Sequence, residues 1–200
     1  LAPPLDVPAS GFDQPQDFPT IQPNLVAIGA PLLWTTGITG TGAVVASLDT
    51  GVDATHPDLA SRWRAGVGGW FDPYGQCAQP CDPIGHGTRG MGIMVGGADS
   101  GSVIGVAPGA SWIAARVFDT QGRASTSAIH QAFQWVLDPD GDPATDDAPN
   151  VVNASWDLVN PGACDLTFAP DLKALVDSGI TPVFAAGNQG AAPSTSVSPA

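Results

Sequence analysis

Ala43-Val44-Val45-Ala46-Ser47-Leu48-Asp49-Thr50-Gly51 is a nearly unbroken apolar run that stops on a carboxylate and a turn residue. A strand with one face in water alternates apolar and polar positions. This run offers small and branched apolar groups to both faces, the pattern of a parallel strand covered on each side. Three other stretches, 112–118, 151–155 and 181–186, read the same way. Between the runs the spacing turns helical. Ile129, Ala132, Phe133, Val136 and Leu137 recur at helical intervals behind a serine-rich cap at 125–127, and Leu172, Leu175 and Val176 do so before Gly179. From His86 onward, Gly87, Gly90, Gly92, Gly96 and Gly97 interleave with Met91, Ile93, Met94 and Val95, which predicts a helix packed very closely on a sheet. The layout is α/β, and right-handed crossovers make it a doubly wound parallel sheet.

Residues 1–22 carry five prolines and few large apolar side chains, so they read as an extension or linker, with the domain proper spanning 23–200. The whole chain has 200 residues, 43% hydrophobic and 12% charged, with a formal net charge of −13. That charge repels nucleic acid and anionic membrane surfaces. No apolar run approaches the ~18 residues of a membrane span, and the amino end lacks the basic-then-apolar pattern of a signal peptide. A secreted or extracellular protein with this start is expected to be a processed or trimmed chain.

In open parallel sheets reactive groups gather at the carboxyl ends of the strands, and Asp49 follows its strand directly. His86 opens the glycine-rich helix. A buried carboxylate bonded to that imidazole fixes its tautomer and steadies the charge when the ring accepts a proton. Val183-Phe184-Ala185-Ala186-Gly187-Asn188 ends another strand in a small-residue turn and a carboxamide, a donor suited to an oxyanion.

Asp49-Thr50-Gly51-Val52, His86-Gly87-Thr88, Gly105-Val106-Ala107-Pro108, Asn153-Ala154-Ser155-Trp156 and Ala185-Ala186-Gly187-Asn188 follow one another in this order. Together they resemble the subtilisin-like serine proteases, the subtilases of the peptidase S8 family, over most of residues 23–200. The lead-in from Asn24 to Trp34 and the insertion before Asn150 resemble the bacillopeptidase F-like branch. The resemblance implies an endopeptidase acting on polypeptides, in which Asp49 orients His86, His86 is general base and then acid, and Asn188 holds the oxyanion. It also implies that Ser155, Trp156, Asp157, Ala186 and Gly187 line the substrate site. The nucleophile expected in a Gly-Thr-Ser-Met-Ala segment is not in this sequence. The chain therefore reads as the first two-thirds of the catalytic domain, inactive by itself and partnered by the remaining C-terminal part. Ser196 and Ser198 come too soon after Asn188, with Pro199 where a helix should start.

Departures from the family pattern fall at Arg89, where a second histidine is usual, and at Asp157-Leu158, where two glycines usually line the pocket. An acidic Asp157 in that pocket favours a basic residue before the scissile bond; a shifted loop leaves it in solvent. Asp58 and Asp99 match positions that hold structural calcium in many subtilases, against the reading of empty surface acids. The run Asp138-Pro139-Asp140-Gly141-Asp142 through Asp147 spaces acids as calcium loops do, but Pro143 breaks the pattern and a solvated acidic loop is the default. Cys77 and Cys81 either form a small disulfide or remain thiols, with Cys164 left over. His56 and His130 read as structural.

Two rivals stand beside the serine protease. Asp49-Thr50-Gly51 and Asp177-Ser178-Gly179 have the form of an aspartic protease dyad, although Asp177 falls on a helical pattern. A catalytically silent binding module on a subtilase scaffold is the other.

Overall fold

The computed structural model describes residues 19–158, 162 and 164–199. Most of the expected extension, residues 1–18, lies outside the described residues. In chain order the elements are β1 (Thr20–Ile21), α1 (Pro23–Ala27), α2 (Ala30–Trp34), β2 (Val44–Asp49), α3 (Pro57–Ala60), β3 (Trp70–Phe71) and α4 (His86–Val95). They continue with β4 (Ser102–Val103), β5 (Ser111–Arg116), α5 (Thr126–Leu137), β6 (Val151–Ala154), α6 (Ala169–Asp177) and β7 (Thr181–Phe184).

Five strands form one sheet in the order β3-β5-β2-β6-β7, every pairing parallel. The chain leaves β2 for β3 at the far edge, steps back to β5 beside β2, returns across β2 to β6 and continues to β7. The order therefore reverses around β2, which makes the carboxyl end of β2 the switch point where such sheets place ligands. Both faces are covered, as the apolar runs require. Val45, Trp112 and Ala114 face Met91 and Val95 of α4, while Ala46, Leu48, Ile113 and Ala115 face Ile129, Ala132, Phe133 and Val136 of α5 and Leu175 of α6. Alternate residues of β2 and β5 thus enter opposite cores.

The helix signals behave as their chemistry dictates. Ser125 Oγ accepts from the Ala128 N–H at 3.1 Å and caps α5. α6 starts with Pro170 in its first turn and stops before Gly179, which has φ +80°. The two-residue strands β1, β3 and β4 are too short to show any periodicity, so the sequence did not announce them. Pro19 to Gln22, placed by sequence in the extension, include β1, which pairs with β4. Among the described residues no helix is long and apolar enough to cross a membrane.

Candidate active site

Asp49 is the last residue of the central strand and is 2% exposed. Its Oδ1 accepts the Thr50 N–H at 2.6 Å. His86 is the first residue of α4, and its Nδ1 lies 2.8 Å from Asp49 Oδ1 and 3.0 Å from Oδ2. A carboxylate accepts from the ring there, so Nδ1 carries the hydrogen and Nε2 of the neutral ring is left as an acceptor. The imidazole is 51% exposed, which leaves its outer edge open to a reactant.

Two glycines permit this approach. A Cβ on Gly87 would lie 2.1 Å from the Gly51 carbonyl oxygen and 3.0 Å from Asp49 Cβ. Gly51 has φ +111°, and a Cβ there would lie 1.9 Å from the Cys81 carbonyl oxygen. The helix, the strand end and the loop before the helix therefore meet backbone to backbone.

Asp82, which stands in no motif of the sequence, ties them together. Its Oδ1 accepts from Thr50 Oγ1 at 2.8 Å and from the Gly85 N–H at 2.7 Å; its Oδ2 accepts from the Thr88 N–H at 2.8 Å and Thr88 Oγ1 at 2.6 Å. Burial pushes this carboxyl up, but the hydrogen bonds from Thr88, Gly85 and Thr50 outweigh it and hold it below the ordinary carboxylate value. The signal available in sequence was an acid four residues before His86, able to cap the incoming helix. Cys77 and Cys81 form a disulfide in the same loop, and Cys164 is free and exposed. Arg116, fully buried, braces the loop by donating to Gln76 Oε1 at 2.6 Å and pairing with Asp72 at 3.5 Å.

The strands beside β2 end on the same edge of the sheet. Ser155 Oγ accepts from Asn153 Nδ2 at 2.9 Å. The Trp156 indole is turned inward: it donates to the Leu48 carbonyl at 2.8 Å and packs edge-on against Phe168 and Phe184. Its side chain serves the core, so only its main chain is left for the expected substrate contact. Asp157 is half-buried, and Leu158 bonds through its N–H to the Ser198 carbonyl at 2.8 Å. Past β7, the Ala186 carbonyl accepts the Val197 N–H, Gly187 has φ +106°, and Asn188 is exposed with its N–H given to Gln189 Oε1 at 2.8 Å.

The acids fall into two groups. Asp58 is 1% exposed, and its carboxylate accepts both the N–H and the hydroxyl of Ser100. Burial raises this carboxyl and the Ser100 bonds more than reverse that. Asp58 thus works as a loop clasp, with its oxygens committed to protein donors, and Asp99 is exposed beside it. Ligand atoms of Asp138, Asp140 and Asp147 instead lie within 4.8 Å of one another. Asp138 Oδ1 is buried with no hydrogen-bond partner among the described residues. Burial, then the charges of Asp140 and Asp138, push the Asp147 carboxyl up. Converging carboxylates with an orphaned buried oxygen fit a hard cation that takes oxygen ligands.

The aspartic dyad does not form. Asp177 ends α6 at the surface, paired with Lys173 one turn back, while Asp49 is buried at the sheet edge. His130 joins α5 to α6 through Asp171 at 2.8 Å, and His56 Nδ1 accepts the Asp58 N–H at the start of α3.

The sequence profile described as the subtilase family, peptidase S8, matches residues 40–200. Bacillopeptidase F of Bacillus subtilis (strain 168) is 38% identical over 179 residues, covering 82% of this chain and 12% of that protein. Subtilisin E of the same organism is 34% identical over 174 residues, covering 84% of this chain and 40% of its own length. Subtilisin BL of Lederbergia lenta is 35% identical over 164 residues, 82% of this chain and 54% of that protein. The chain thus spans from about an eighth to about half the length of these relatives.

Proposed function

This chain belongs to the subtilase family, and on that premise we propose that it supplies Asp49, His86 and Asn188 to a serine endopeptidase whose nucleophilic serine lies past Ala200. The observation that carries the reading is the 2.8 Å contact between His86 Nδ1 and Asp49 Oδ1 at the switch point of the sheet. Asp49 holds the Nδ1–H. Nε2 takes the proton of the serine hydroxyl as its oxygen attacks the peptide carbonyl carbon. The resulting oxyanion accepts from the Asn188 carboxamide, and Nε2 returns the proton to the departing amine. Water then cleaves the acyl-enzyme through the same ring.

The substrate is a polypeptide, held in this reading by Ser155, Asp157, Ala186 and Gly187, with Trp156 acting through its main chain. The remaining C-terminal part of the domain is a required partner. The Cys77–Cys81 disulfide suits an oxidising compartment and supports a secreted or extracellular location. Calcium, where bound, is a structural ion: it fits Asp138, Asp140 and Asp147 better than Asp58 and Asp99, and it would neutralise carboxylates that repel one another.

The test is casein hydrolysis by the complete parent protein and by the 200-residue chain. The parent is expected to cleave and to be blocked by a phosphonylating serine reagent, and the chain alone to be silent. A parent that folds, binds casein and does not cleave it overturns the peptidase in favour of the binding module.

A further inference from the structure

The geometry points to Asp82 as the positioning residue that sets the contact between Asp49 and His86, acting through Thr50 on one side and through Gly85 and Thr88 on the other. Asp82 never touches the imidazole. It reaches the residue after Asp49 and both residues that flank the His86-Gly87 pair, with five donors on its two oxygens once the Ile84 N–H at 3.2 Å is included.

The direction of these bonds matters. Thr50 has one hydroxyl hydrogen, which goes to Asp82, so its lone pair faces the Gly87 N–H at 2.9 Å. Thr88 likewise donates to Asp82 and accepts the Asp53 N–H at 3.0 Å. An acceptor-only group at position 82 thereby orients two hydroxyls, each of which then binds a backbone N–H of the facing segment. The chain of bonds runs from the end of β2 to the first turn of α4 and back, spanning the junction across which His86 must meet Asp49. Cys81 abuts Gly51, and the next residue, Asp82, carries hydrogen bonds from Thr50 on one side to Gly85 and Thr88 on the other, so it joins both sides through side-chain oxygens.

Replacing Asp82 by Asn keeps the shape but turns one edge of the carboxylate into a donor facing donors. At least one arm of the link must open. The half-exposed His86 ring then loses its fixed distance and shares its Nδ1–H with water.

What the positioning serves rests on the peptidase reading, but the positioning is tested without it. The measurement is the low-field proton resonance of the His86 ring Nδ1–H in the chain, assigned by its disappearance in His86→Ala. Asp82→Asn and Thr50→Val are each expected to broaden or lose it, while Thr50→Ser retains it. Leu175→Ala, which opens a cavity in the opposite core, should lower Tm and leave the resonance in place. A wild-type resonance in natively folded Asp82→Asn overturns the proposal, as does its loss in Leu175→Ala below the melting transition. Should Asp82→Asn fail to fold, an unchanged resonance in Thr50→Val overturns it equally. In the parent, Asp82→Asn is expected to lower kcat about 10²-fold with KM nearly unchanged, the size expected for a misplacement near 1 Å. An Asp82-dependent resonance in a parent whose turnover ignores His86→Ala supports the positioning and sinks the peptidase reading alone.

Discussion

The two sides of the candidate site are built to different standards. At the β2–α4 junction Asp49 is buried, its neighbours are hydrogen-bonded in a closed network, and two glycines let backbones meet. At the β6–β7 side, Asn188 is exposed, and β7 borders a single strand among the described residues, with Val183 46% exposed. The contrast teaches that the Asp49–His86 contact is assembled from tightly packed segments of this chain, whereas Asn188 follows a strand at the open edge of the sheet among the described residues. A central strand gains order from neighbours on both sides; an edge strand gains half of that.

Variants at each junction break or sharpen the contrast. Gly87→Ala is expected to have the largest effect, because its Cβ would overlap the Gly51 carbonyl and neither backbone can yield cheaply. A loss of about 3 kcal/mol or more in urea unfolding is expected, at the upper end for overpacking, with the His86–Asp49 contact broken. An alanine that is tolerated at wild-type stability would mean the junction is looser than described. Asn188→Ala, on the open side, should leave stability near wild type and lower kcat of the parent by ~10²–10³-fold. A stability loss comparable to that of Gly87→Ala would show the two sides to be equally integrated.

Calcium tests a third place, away from the junction. At a calcium concentration 100 times its Kd, a single site adds about 2.7 kcal/mol. A chelator is therefore expected to lower Tm by several degrees in wild type and not in Asp138→Asn. A melt that ignores the chelator removes the ion. The smallest effect is on acid stability. Asp82 and Asp58 have carboxyls held below the ordinary 3.8 in the folded state, so their contribution is complete above that pH and is lost as pH falls through their lower folded values. Asp82→Asn should flatten this part of the stability curve below pH 3.8, and an unaltered slope would contradict the hydrogen-bonded anion.

The fold was largely legible because four apolar runs and three helical patterns each follow from burial on both faces of a parallel sheet. β2, β5, β6 and β7 fall where 43–48, 112–118, 151–155 and 181–186 place them; β5, β6 and β7 stop one or two residues earlier where turns begin, and β2 runs one residue further, to Asp49. Asp49 and His86 were legible because both sit at element boundaries with glycine beside them, and the structure brings them into contact. Asp82 was only half legible: its place four residues before His86 suits a helix cap, but a Pro-Cys-Asp-Pro stretch does not reveal that Thr50, from a distant segment, also donates to it. The inward turn of the Trp156 indole was not legible for a related reason: a residue just past a strand points either way, and here Leu48, Phe168 and Phe184 draw it inward. Asp58 shows the same limit, because Ser100 claims its oxygens across 42 residues of sequence.

The most direct measurement is to label the parent with a fluorophosphonate and locate the modified residue by mass spectrometry, in wild type and in His86→Ala. The account predicts one modified serine, beyond Ala200, whose labelling collapses when His86 is removed. A label on Ser196, Ser198 or any other serine of this chain, or labelling that does not depend on His86, would contradict it.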